Sequence, residues 1–203
     1  PGAAQSAIRL GRVGPSWEDP RYHAREVMNT LLGGSFTSRL NDNLREQHGY
    51  SYGAGSALRR YRVGGLFLAA ADVQTDKTAP AVTEFLKELE RIRTPATTEE
   101  VERARAYTAF GYAEEFETTG QVAAHVVEKV VYGFADSFFA EYVPKALAVD
   151  AAALQAAAKA TVDPEKIALV VVGDRETVEA PLRALKLGPV KVQSVDDVMG
   201  LAP

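Results

Sequence analysis

The spacing of apolar positions changes period several times along the chain. "AAQSAIRLGRVG" (3–14) has the look of a strand that ends at glycines. "EDPRYHAREVMNTLLGG" (18–34) predicts a helix, with Ala24, Val27, Met28 and Leu31 on one apolar face. Asp19 can cap it, Pro20 suits its first turn and Gly33 can close its end. Residues 35–48 predict a second, short helix with Phe36, Leu40 and Leu44 in line at i, i+4 and i+8. Ser35 or Ser38 can cap it, Gly49 ends it, and Arg39 and Arg45 point away from its stripe.

The period then falls to two. "YSYGAGSALRRYRV" (50–63) and "LFLAAADV" (66–73) flank Gly64-Gly65, a hairpin signal. Alternation places Tyr52, Ala54, Ser56 and Leu58 on one face, and Tyr50 and Tyr52 facing the same way. From Thr78 to about Arg93 the chain is helical again, with Val82, Phe85, Leu86 and Leu89 as a core stripe. The next helix (94–117) opens with a capping box from Thr97 to Glu100. Further helices are expected at 119–133, 137–147 and 150–160. "IALVVVGD" (167–174) has the composition of a buried strand, a helix near 175–185 follows, and "VKVQSV" is expected as a last short strand. This order predicts an α+β fold: one mixed, mostly antiparallel sheet with helices packed on one face. No internal repeat or low-complexity linker divides residues 1–203, so a single domain is expected.

Composition narrows the function. With 203 residues, 46% of them hydrophobic, a core can form without disulfides or metals. The absence of cysteine excludes disulfides and thiolate ligands and leaves the redox compartment open. A net charge of −4 without a basic stripe argues against nucleic-acid binding. No apolar run approaches the roughly 20 residues of a membrane span. The chain begins at Pro1 without a signal sequence, so a processed product or a piece of something longer is expected.

Complete catalytic motifs are missing. His23, His48 and His125 lie too far apart in sequence for a helical zinc pair, which needs ligands three or four residues apart. His23 and Glu26 form H-x-x-E, but the inverted zinc motif needs histidine at position 27, which is valine. His23 and Glu26 are expected on the solvated face of their helix. There is no G-x-S-x-G, and Gly33-Gly34 does not continue as a phosphate-binding loop. The pairs Glu99-Glu100 and Glu114-Glu115 fit solvated surface, "VVVGD" fits a strand leaving the core, and His125 fits a satisfied structural histidine. The remaining candidate is the corner where Arg45 and Tyr52 flank the passage from helix to strand. An arginine fork and a phenol there can hold a carbonyl or an oxyanion. Equally, Arg45 can pair with a surface acid while Tyr52 packs on the sheet.

"LLGGSFTSRLNDNLREQHGYSYGAGS" strongly resembles the second-domain segment of the pitrilysin/insulinase family of zinc peptidases, the inverzincins. The matching positions are Asn29, Leu32, Gly33, Gly34, Phe36, Ser38, Arg39, Leu40, Leu44, Arg45, Glu46, Gly49 and Tyr52. The likeness continues through "TTEEVERA", "GFADSFFAEY" and "VVVGD", nearly the whole chain. The resemblance implies one half of a metallopeptidase clamshell. Its zinc-carrying homologous domain, in the same precursor or a separate subunit, would hold H-x-x-E-H, and this half would complete the site around a peptide substrate. It implies Arg45 and Tyr52 as the catalytic contacts, no metal in this chain, and no hydrolysis by this chain alone. Tyr50 stands where relatives have leucine, and since family branches differ in the spacing of arginine and tyrosine, the resemblance makes it a further candidate, for substrate binding or for the role of Tyr52 itself. A catalytically inactive scaffold of the same family is the alternative. Relatives occur in the bacterial cytoplasm and periplasm and in organelles, which leaves the location open.

Overall fold

The computed structural model describes residues 2–16, 18–61 and 63–200; Pro1 and Arg62 of the predicted hairpin lie outside the described residues. Strands β1 (Gln5–Gly14), β2 (Ser51–Arg60), β3 (Gly65–Gln74) and β4 (Ala168–Val172) form one sheet in the order β2-β3-β1-β4. All pairings among the described residues are antiparallel, so the mixed sheet expected from sequence is here wholly antiparallel. Alternation works as period two requires. Ile8, Leu10, Phe67, Ala69, Ala71 and Val73 turn inward and are buried.

The helices are α1 (Tyr22–Asn29), α2 (Arg39–Asn41), α3 (Thr78–Arg91), α4 (Thr98–Gly111), α5 (Thr119–Tyr132), α6 (Phe138–Leu147), α7 (Ala151–Thr161), α8 (Arg175–Ala184) and the short α9 (Val195–Met199), of which α1, α2 and α3 contact the sheet directly and α5 and α9 bury no residue. Val27, Met28, Leu32, Leu40, Leu44, Val82, Phe85, Leu89 and Leu154 are all fully buried against the sheet's apolar side chains. At about 25 cal/mol per Å² of apolar surface removed from water, this shared core is the main stabilising term. Thr97 and Glu100 form the expected capping box at the start of α4.

Four local expectations change. The helix expected at 18–34 starts only at Tyr22, because Asp19 is spent on the Arg21 N–H and guanidinium; it ends in a wide π-type turn over Thr30–Gly34. Phe36 lies before α2 rather than on it and is 64% exposed, so the packing stripe is Leu40 and Leu44 alone. The run at 167–174 forms an edge strand with one face in solvent, Val170 and Val172 being more than half exposed, rather than a strand buried on both sides. "VKVQSV" forms no strand. Gly188 and Pro189 break the chain before it, Val190 and Val192 stay exposed, and Ser194 caps α9 instead.

Two glycines are required by geometry. Gly64 turns the β2–β3 hairpin at φ 76°. Gly33 lies against β2 so closely that a Cβ would sit 2.3 Å from the Ser56 nitrogen. The outer edge of β2 is covered by side chains, which blunts an otherwise open strand. Asn29 Nδ2 donates to the Ser56 carbonyl and Ser56 Oγ donates back to Asn29 Oδ1. Further along the strand, the Tyr132 hydroxyl donates to the Arg60 carbonyl.

Candidate functional site

The candidate corner is built where α2 gives way to β2. After Asn41 the helix widens into a π-type turn over Asp42–Gln47, and Gly49 reverses the chain at φ 62°. The Tyr50 N–H donates to the Leu44 carbonyl, and the Tyr50 carbonyl accepts from Gln74 N–H, which stitches the chain onto the sheet. β2 then bulges. Ser51 faces Val73 and Ala54 faces Ala71, so one extra residue is accommodated between them.

That bulge separates the two tyrosines. Tyr50 is half-buried and stacked on His48 at 4.9 Å between ring centroids. Tyr52 stands 89% exposed. Alternation had placed Tyr52 on the face shared by Ala54, Ser56 and Leu58; the extra residue takes it off that face, so it does not pack on the sheet. Arg45 is half-buried. Its guanidinium carbon lies 4.6 Å from the centre of the Phe36 ring, and its Nε is 3.3 Å from Glu46 Oε1. Phe36 thus serves as a platform for the arginine. Arg45 presents a supported guanidinium and Tyr52 an exposed phenol, both of them donors.

Behind the corner lies a polar frame that periodicity did not reveal. Arg39 is 7% exposed rather than pointing to solvent, and it donates from Nε and Nη2 to the two Glu100 oxygens at 2.9 and 2.8 Å. Glu100 also accepts from the Thr97 N–H, so one carboxylate caps α4 and clamps α2 to it. It is therefore not the solvated surface acid expected. The Arg39 guanidinium holds the Glu100 carboxyl down at about 2. Asn43 donates to Glu84 and Glu88 on α3, fixing the other side of the turn. The one sequence signal for the clamp was a glutamate at the third helical position beside an unexplained arginine.

The H-x-x-E pair also departs from expectation. His23 packs among Tyr22, Phe138 and Tyr142, and burial pushes its imidazole down to about 4. Burial pushes the Glu26 carboxyl up to about 7, opposed by Arg60 and Arg25 and reinforced by Glu115 and Glu128. Neither residue is on a solvated face: His23 lies against Phe138 and Tyr142 of α6, and Glu26 is half-buried on the side of Arg60 of β2. A carboxyl raised from 4.5 to about 7 favours the protonated fold. Its contribution is full below pH ~4.5 and is lost as pH rises through about 7. Glu26→Gln should match the wild type at pH 4.5 and exceed it by up to about 2–3 kcal/mol at pH 8. Denaturant unfolding at the two pH values measures this; equal stabilities at both contradict the burial account.

Among the described residues no three potential His, Asp or Glu ligands cluster. His23 faces aromatic rings. His125 is held by Glu128 at 3.2 Å and stacked on Phe116, a satisfied structural histidine. The valines beside it on α5, Val122, Val126 and Val130, are exposed rather than part of the core.

Comparison with known proteins bears on this geometry. The family described as the peptidase M16 inactive domain matches residues 1–107, the segment that holds the corner. An uncharacterized zinc protease of Rickettsia bellii (strain RML369-C) is 31% identical over 102 residues, covering 50% of this chain and 25% of its own length. The peptidase M16 inactive domain from Pseudomonas fluorescens superposes with a TM-score of 0.76 at 20% identity, over 84% of this chain and 41% of that one. A chain of complex III2 from Candida albicans gives 0.75 at 19% identity, over 90% of this chain and 46% of that one. The chain thus spans a quarter of the curated relative and under half of either structural neighbour. At these identities the structural likenesses establish the fold alone.

Proposed function

The chain belongs to the peptidase M16 inactive-domain family, and on that premise we propose that residues 1–203 act as one domain that completes the active site of a zinc metallopeptidase. The zinc lies in a homologous partner domain outside this chain, and the substrate is a peptide. What supports this reading is an 89% exposed Tyr52 just after the turn and an Arg45 guanidinium held over Phe36 just before it.

In this reading Arg45 and Tyr52 act on the substrate. The phenol donates to the carbonyl oxygen of the bond to be cleaved, and the guanidinium stabilises the negative charge that develops there. Tyr50, stacked on His48, lines the approach and contacts substrate rather than reacting atoms. The polar frame of Arg39, Glu100 and Asn43 fixes these groups before substrate arrives, which is where preorganised donors gain their effect.

A second reading, a scaffold without chemistry, is consistent with the family's description as an inactive domain. Reconstitution distinguishes the two. The chain is purified with its homologous zinc-carrying domain, and peptide hydrolysis is followed alongside complex formation. A site-completing domain gives both a complex and hydrolysis that needs it. A scaffold gives a complex whose hydrolysis is absent or indifferent to this chain.

A further inference from the structure

Asn41 is 5% exposed and joins two backbone segments that are far apart in sequence. Its Nδ2 donates to the Phe36 carbonyl at 2.7 Å, and its Oδ1 accepts from the Ala54 N–H at 3.3 Å. These neighbours fix the amide's orientation, since one needs a donor and the other an acceptor. Ala54 is the first residue of β2 to regain register after the bulge, and a Cβ on Gly53 would meet Asn41 Oδ1 at 3.8 Å. The amide oxygen therefore rests against the bulge itself. Within the bulge, Ser51 Oγ accepts from the Gly53 N–H and donates to the Gly53 carbonyl.

We infer that Asn41 is a positioning residue for Tyr52: its buried amide pins the bulge that turns the phenol out of the sheet and ties it to the Phe36 platform under Arg45. This deepens the proposed function and rests on it. The physical reason is register. A strand's side chains change face with every one-residue shift, so an unpinned bulge can move and carry Tyr52 off the corner. Asn41 itself is anchored by its neighbours, Leu40 in the core and Arg39 on Glu100. The same amide thus sets the platform and the phenol relative to one another. Ser51 holds the bulge from within and offers an independent perturbation that leaves the buried loop intact.

The test is a cycle in the reconstituted peptidase with a reporter peptide. Asn41→Ala is expected to lower kcat about tenfold and Ser51→Ala about threefold, with KM little changed. Neither should lower kcat further in a Tyr52→Phe background, because both act through that hydroxyl. A purely structural role would give the same loss in both backgrounds, and that additivity, or wild-type kcat in both single variants, overturns the inference. If Asn41→Ala fails to fold, Ser51→Ala decides. A wild-type rate in Tyr52→Phe itself instead marks failure of the underlying reading. Amide exchange on the chain alone gives a readout free of activity. The Ala54 N–H should exchange at least tenfold faster in Asn41→Ala while Gly55 and Ala57, paired with β3, keep their protection. Unchanged protection of Ala54 contradicts the pin.

Discussion

Tyr52→Phe should lower kcat of the reconstituted peptidase about a hundredfold while leaving the melting temperature of the chain unchanged. Loss of one preorganised donor to a developing oxyanion costs roughly 10²–10³ in kcat. The hydroxyl contributes little to the fold, since Tyr52 is 89% exposed, and exposed substitutions usually change stability by within about 0.5 kcal/mol. KM should change far less than kcat, because the interaction is strongest in the transition state. Arg45→Ala should fall at least as far, since a guanidinium opposes the full charge of the oxyanion. Its loss also strips the Phe36 platform of its occupant, which affects the surface and not the core. Steady-state kinetics with thermal melts on the same preparations decide the matter. Wild-type turnover in both variants removes the pair from the mechanism.

Glu100→Ala should be strongly destabilising, by about 3 kcal/mol. It leaves the Arg39 guanidinium, whose side chain is 6% exposed, buried without its carboxylate, a loss that ranges over about 3–5 kcal/mol for buried pairs. It also removes one half of the α4 capping box. For a chain of this size that amounts to roughly a 10 °C fall in Tm. The pH dependence has a definite sign. The Glu100 carboxyl is depressed from 4.5 to about 2 in the fold, so its stabilisation is present above pH ~4.5 and lost as pH falls toward 2. The gap between wild type and Glu100→Ala should therefore close over that interval. A gap that stays constant from pH 6 to pH 2.5 would assign the loss to packing rather than to the charged pair.

The elements were legible where one period governed a long run. Val82, Phe85 and Leu89 marked α3, and the box from Thr97 to Glu100 marked the start of α4. The strands of the hairpin and the flanking helices followed from the same arithmetic. What failed was decided by tertiary partners that no single segment carries. "VKVQSV" alternates, yet no strand edge receives it. Val170 and Val172 are β-branched, yet the strand sits at the sheet's margin with one face open. His23 and Glu26 lie off the main apolar stripe of α1, but α6 covers His23 and the end of β2 borders Glu26, which a one-helix projection cannot see.

The candidate corner divided in the same way. Arg45 and Tyr52 came from position and from family likeness; the fold leaves the first stacked over Phe36 and the second exposed. The separation of Tyr50 from Tyr52 depends on one extra residue in β2, invisible to a rule of strict alternation. The asparagines were harder still. Asn29 and Asn41 satisfy backbone groups of β2, a function that spacing does not encode. Arg39 points away from the stripe of its own segment, and its partner Glu100 lies 61 residues away, beyond the reach of local spacing.

The proposed division of labour is tested most directly by titrating the zinc-carrying domain with this chain and measuring peptide hydrolysis at each ratio. The rate should be near zero for either component alone, rise with added chain and level off at a 1:1 ratio, with Tyr52→Phe forming the same complex at about a hundredth of the rate. A zinc-carrying domain that turns over peptide equally fast with and without this chain would contradict the account.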